Sequence, residues 1–157
     1  MTILKINGKE YNLEFTFAAA DEGKLIENMF KVISGAYFFS RGNEETMAAA
    51  MMNGTAEMIG DLPTICKQAF HAGLKEHHEG ISFDEAVALM KAYMKENKIS
   101  FNAMYQLLKA QMEEDGFFDL TGITEMMQEM ARTEETEEDK KAPKVPQDHR
   151  KKSTGTK

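Results

Sequence analysis

The order of hydrophobic and polar residues changes its period once along this chain and then loses it. Over Thr2-Ile3-Leu4-Lys5-Ile6 and Glu10-Tyr11-Asn12-Leu13-Glu14-Phe15, the residues Tyr11, Leu13 and Phe15 recur at every second position, as they do when one face of a strand is buried. Asn7-Gly8-Lys9 separates the two runs, and Asn-Gly supplies the two positive-φ positions of a type I′ turn, so the pattern predicts a β-hairpin. Two strands alone are marginal in water, so one face of the hairpin has to pack on the rest of the chain.

Beyond the hairpin the period becomes helical. Lys24 to Phe39 places Ile26, Met29, Phe30, Ile33 and Tyr37 on one stripe, and Leu25, Val32 and Phe38 widen it, as in a buried central helix. Glu44 to Gly60 predicts an Ala- and Met-rich helix with Met47, Met51 and Met58 at helical spacing and Asn53-Gly54 as a candidate break. Leu62 to Glu79 predicts another, with Pro63 in its first turn and Leu62, Ile65, Cys66, Ala69, Phe70 and Gly73 on one face. Ser82-Phe83-Asp84-Glu85 matches a capping box, followed by Ala86, Val87, Met90, Tyr93 and Met94 at helical spacing. Ser100 caps a further helix with the stripe Phe101, Met104, Tyr105, Leu108 and Met112, which Gly116 stops. Thr124 to Ala131 repeats the pattern weakly through Ile123, Met126, Met127 and Met130.

From Arg132 the period disappears. Val145 is the one sizeable apolar side chain in the last 26 residues, too little buried surface to offset the entropy of ordering the backbone. The expectation is therefore a mainly α fold, a helical domain over 1–131 with a short N-terminal β-hairpin, and a disordered charged tail over 132–157.

Composition narrows the function. A chain of 157 residues has room for one core, and its net charge of −7 removes the electrostatic attraction on which most nucleic-acid binders depend. The charge is uneven: residues 1–131 carry 20 acidic and 11 basic side chains, the rest 6 and 8. No apolar run approaches the roughly 20 residues that cross a bilayer, and the N-terminus turns polar too soon for a signal peptide. A cytosolic protein without nucleic-acid or membrane partners is expected, and the lone Cys66 fits a reducing compartment.

Catalytic chemistry has no anchor in the sequence. Phosphate-binding glycine loops, nucleophile elbows, paired-cysteine zinc spacings and calcium loops are all missing. His71 and His78 lie seven residues apart near Glu79, but a metal site needs further ligands, and surface or helix-end histidines are the plainer reading of His71, His77 and His78. Cys66 and His71, five residues apart on a helix, project about 140° from one another, which is no nucleophile–base pair. Neither an enzyme nor a cofactor is expected.

Methionine is in excess, at 13 residues with no tryptophan. Its unbranched, polarisable side chain re-packs around different apolar surfaces, as at promiscuous helix-binding grooves. Met29, Met90, Met94 and Met104 read as core fillers. Met126, Met127 and Met130 read as contacts, because a helix of about eight residues beside a disordered tail is not stable alone in water.

Ile6-Asn7-Gly8-Lys9-Glu10-Tyr11-Asn12-Leu13-Glu14-Phe15, Asp61-Leu62-Pro63-Thr64-Ile65, Lys95-Glu96-Asn97 and the stretch from Phe101 to Gly116-Phe117-Phe118 follow in an order and spacing that resemble the tail assembly chaperones of long-tailed bacteriophages. The resemblance spans residues 1 to about 118 and leaves out both Glu44 to Met58 and the charged tail. It implies a protein of the host cytoplasm, absent from the mature virion. It would bind the tape measure protein, keep that protein's apolar helices soluble and promote tail tube assembly, with the major tail tube protein as a second partner and self-association left open. From side-chain chemistry alone, the contact candidates are Met47, Met51, Met58, Ile123, Met126, Met127 and Met130. A non-enzymatic regulatory or host-directed adaptor is the alternative.

Overall fold

The computed structural model describes residues 1–36 and 47–141, with the side chains of 47, 50 and 133–141 outside the description. Strands β1 (Thr2–Ile6) and β2 (Lys9–Leu13) pair antiparallel, with Leu4 opposite Tyr11 and Ile6 opposite Lys9. Asn7 and Gly8 turn the chain at φ 50° and 75°, the left-handed pair that a type I′ turn demands. Alternation does the rest: Leu4, Ile6 and Leu13 are buried while Ile3 points to solvent.

Seven helices follow the hairpin among the described residues. A single turn, α1 (Phe17–Ala20), leads into α2 (Gly23–Ile33), which buries Leu25 and Met29. The centre of the molecule is α3 (Met47–Leu74), a helix of 28 residues and therefore about 42 Å long. Its C-terminal half carries the buried stripe Leu62, Ile65, Cys66, Ala69, Phe70, Ala72 and Leu74, on which the hairpin, α1, α2, α4 and α5 converge. Ser82 begins α4 (Phe83–Asn97) through a complete capping box with Glu85, and Lys98 ends it in the left-handed conformation. Ser100 accepts from the Ala103 amide at the start of α5 (Phe101–Glu114). One further turn, α6 (Phe117–Leu120), precedes the last helix, α7 (Ile123–Lys141).

The hairpin is fastened at two points. The Glu14 amide donates to the Gly73 carbonyl at 2.8 Å, which brings the β2 end onto α3. Next to it, the Phe15 amide donates to Asp115 Oδ2 at 2.9 Å, while Gln111 Nε2 and the Met1 ammonium donate to Oδ1. One half-buried carboxylate thus ties the strand end to the end of α5.

Four expectations change. The helices expected over Glu44 to Gly60 and Leu62 to Glu79 are one helix, α3, which passes through Asn53-Gly54 without a break and ends at Leu74. A helical glycine costs only about 1 kcal/mol, which continuous packing overrides. Pro63 accordingly sits inside the helix, where it removes the amide that would bond the Ile59 carbonyl; Ile59 lies on the solvent side, where water can replace that bond. Helix α2 ends at Ile33, and Tyr37 to Phe39 lie outside the described residues. Lastly, the segment from Arg132 to Lys141, expected to be disordered, continues α7. Once the first turns are held by packing, each added residue gains a hydrogen bond without a new nucleation cost, and Glu, Lys and Arg are good helix formers. The expected disorder of 142–157 lies outside the described residues.

Candidate functional site

The side chains of His71, His77 and Cys66 are each committed to a local hydrogen bond, whereas His78 Nε2 is buried with no hydrogen-bond partner among the described residues. His71 Nε2 donates to the Ile81 carbonyl at 3.2 Å and its ring meets Phe83 edge-on. His77 Nε2 meets Glu14 Oε2 at 2.6 Å, and His78 packs against Tyr11. Because α3 ends at Leu74, His77 and His78 leave the helix and do not share a helix face with His71. Among the described residues no three of His, Cys, Asp and Glu come together in a group suited to a metal ion. Cys66 is fully buried, its Sγ–H donates to the Phe101 carbonyl at 3.4 Å, and burial pushes the thiol up to about 12. It stays protonated near neutrality and has no nucleophilic thiolate to offer.

The surface presents a pocket of about 600 Å³ lined by Asn7, Tyr11, His78, Glu79, Ile81 and Glu85, and it also presents exposed apolar side chains. In the N-terminal half of α3, Met51 is 56% exposed, Met52 76% and Ile59 58%. Beside them, Met58, Ile59, Leu62, Pro63 and Phe101 line an open groove of about 640 Å³ where α3 passes the start of α5. A second groove, of about 350 Å³, lies between α2 and the start of α7 and is lined by Gly23, Ile26, Glu27, Phe30, Thr121, Gly122, Ile123 and Met126. The two grooves share no residue.

The seven candidate contacts divide accordingly. Met51 and Met58 lie on α3, the first exposed and the second half-buried against the larger groove. Met126, 50% exposed, and Met130, 40% exposed, stand one turn apart on α7. Ile123 is a correction: at 3% exposed it belongs to the core and edges the smaller groove as its floor, because it anchors the first turn of α7. Met127, half-buried and packed on the core, is the second anchor. The side chain of Met47 lies outside the described residues. The core reading of Met29, Met90 and Met104 holds, for all three are fully buried, and Met94 packs against them partly covered.

Sequence reasoning passed over Met52, Ile59 and the groove wall of Ile26 and Phe30. Ile59 had a signal, since it stands seven residues after Met52 and therefore on the same helix face. Ile26 and Phe30 had none: their stripe reads as core, and only the placement of α7 leaves part of it open.

Apolar grooves of this kind recognise apolar side chains of a partner, each fully buried Leu, Met or Phe contributing about 1.5 to 3 kcal/mol. Among the described residues no helix is long and apolar enough to cross a membrane. No family model, curated protein or solved structure matches the chain.

Proposed function

We propose that this protein is a tail assembly chaperone of a long-tailed bacteriophage, which binds apolar helices of the tape measure protein in the host cytoplasm, keeps them soluble and promotes tail tube assembly. The observation that carries the reading is the exposed methionine surface: Met51 and Met52 on α3 and Met126 and Met130 on α7 stand in solvent, and Met58 and Met126 line open apolar grooves. An exposed cluster of adaptable apolar side chains on an acidic body suits a protein that covers greasy segments reversibly while its charge opposes aggregation. The work is binding without turnover, and the order of motifs over residues 1 to about 118 supports the same reading.

Co-expression tests it. The tape measure protein made alone is expected in the insoluble fraction, and made together with this chain it is expected in the soluble fraction, in a complex that survives size-exclusion chromatography. Equal insolubility in both cases refutes the proposal. Stable association with a host protein and none with tail proteins would replace it with the adaptor reading.

A further inference from the structure

A cavity of different chemistry lies away from the methionine surface, where the connection from α3 to α4 meets the hairpin. The pocket of about 600 Å³ draws Asn7 and Tyr11 from the hairpin, His78 to Ile81 from the connection, and Glu85, Ala88 and Leu89 from the first turns of α4. Gly80 turns the connection at φ 77°, and a Cβ there would meet nothing within 4 Å, so the wall is open at that point. A companion cavity of about 360 Å³ shares His78, Glu79, Gly80 and Ile81 and adds Asp21 and Lys75. His78 borders both, and its Nε2 is buried without a hydrogen-bond partner among the described residues. Buried polar atoms almost always have a partner, and leaving one unpaired costs stability that a ligand's donor can restore.

The charges select the ligand. Glu79 and Glu85 line the larger cavity, and no lysine or arginine does. Ser82 donates to Glu85 Oε2 from its hydroxyl at 2.7 Å and from its amide at 2.9 Å, bonds that hold this carboxyl below the ordinary range and keep it charged. Glu79 makes no ion pair among the described residues. In the companion cavity Lys75 is already held by Glu22 at 2.8 Å, which leaves Asp21 as a third carboxylate without a matching cation. Lys9 and Lys91, close in sequence to lining residues, line neither cavity. Ile81, Leu89 and the Tyr11 ring supply apolar surface beside these charges.

We propose that this pocket binds an organic cation, a guanidinium or ammonium group on a short apolar stem, whose charge is answered by Glu79 and Glu85 and whose N–H donates to His78 Nε2. The imidazole is then neutral, with its own proton on Nδ1, and it turns slightly as the ligand enters because Nε2 is sealed from water. Anionic ligands are repelled by the same carboxylates. Two sources carry the chemistry, a free amine of the cell and a basic side chain of a polypeptide. The pocket shares no residue with either apolar groove, so it stands or falls independently of the chaperone reading.

The full chain is titrated with agmatine, with N-acetylarginine amide and with the neutral citrulline counterpart of the latter, read by calorimetry and by the imidazole nitrogen NMR signals of His78. The cations are expected to bind and to shift the Nε2 signal, and the citrulline compound to bind about tenfold more weakly or not at all. Tighter binding of agmatine assigns the pocket to free amines, and tighter binding of the arginine amide assigns it to a polypeptide. Glu79→Gln is expected to weaken binding about tenfold. Ala88→Phe, at an exposed position on α4, is expected to fill the pocket and abolish binding while the helical circular dichroism stays unchanged. His78→Phe keeps a ring against Tyr11 and removes the unpaired nitrogen, so it should bind the cations more weakly yet melt at or above the wild type, a combination that a merely structural histidine does not give. A His78 signal that neither cation moves, equal affinity for the citrulline compound, or undiminished binding by Ala88→Phe would each overturn the proposal.

Discussion

Glycine to alanine inside a helix normally stabilises, by about 1 kcal/mol. Helix α3 contains two glycines at which that rule should give opposite signs. At Gly60 a Cβ would meet nothing within 4 Å, so Gly60→Ala should realise most of the gain, about 0.5 to 1 kcal/mol. At Gly73 the same atom would lie 3.0 Å from Leu13 Cγ, 3.1 Å from Leu13 Cδ1 and 3.1 Å from Phe15 Cζ. Leu13 and Phe15 are both buried, and the 2.8 Å hydrogen bond from the Glu14 amide to the Gly73 carbonyl holds the strand against the helix between them. Neither neighbour has room to retreat, so overpacking of about 2 to 3 kcal/mol exceeds the helix gain and leaves a net loss of about 1 to 2 kcal/mol. The two variants should differ by about 1.5 to 3 kcal/mol, or about 3 to 12 °C in Tm for a domain of this size, measured by circular dichroism at 222 nm and checked by urea unfolding. A Gly73→Ala protein that melts at or above the wild type would refute the close docking of the hairpin on α3.

Two further outcomes test the assignments around the grooves. Ile123→Ala removes a core anchor and should lower stability by about 2 to 4 kcal/mol, whereas Met126→Ala should change it by less than about 0.5 kcal/mol; thermal melts that rank them the other way would return Ile123 to the surface. Cys66 should resist Ellman's reagent at pH 8 in the folded protein and react at once in denaturant. Its burial holds the folded thiol at about 12, above the value of 9.0 from which it is raised, so the unfolded state loses its proton first and stability should fall as pH rises from about 9 toward 12. A Cys66→Ala variant that shows the same alkaline decline as the wild type would assign that decline to other groups.

Features decided within a few residues were legible before any coordinates. The hairpin is one, because Asn7-Gly8 takes up positive φ at little steric cost whatever surrounds it, and the alternation of Leu4, Ile6, Tyr11 and Leu13 follows from the pleat. The starts of α4 and α5 are others, since Ser82 and Ser100 satisfy amides of their own first turns. The methionine excess, and with it the expectation of an adaptable surface, was equally visible.

Long-range packing decided the rest. Gly54 and Pro63 look like interruptions to a local reading, yet α3 runs through both because its C-terminal half is clamped by the hairpin and four helices. Ile123, Met126, Met127 and Met130 share one period, and no property of that period tells which two are pinned beneath α7 and which two stand in solvent; the direction from which the helix meets the core does. The same holds for Ile26 and Phe30, whose stripe became a groove wall when α7 covered only part of it. Sequence alone determined the hairpin turn and the starts of α4 and α5, because that turn and those caps are settled by neighbouring atoms. Tertiary structure alone determined which apolar side chains remain for a partner, because burial depends on contacts between residues far apart in the chain.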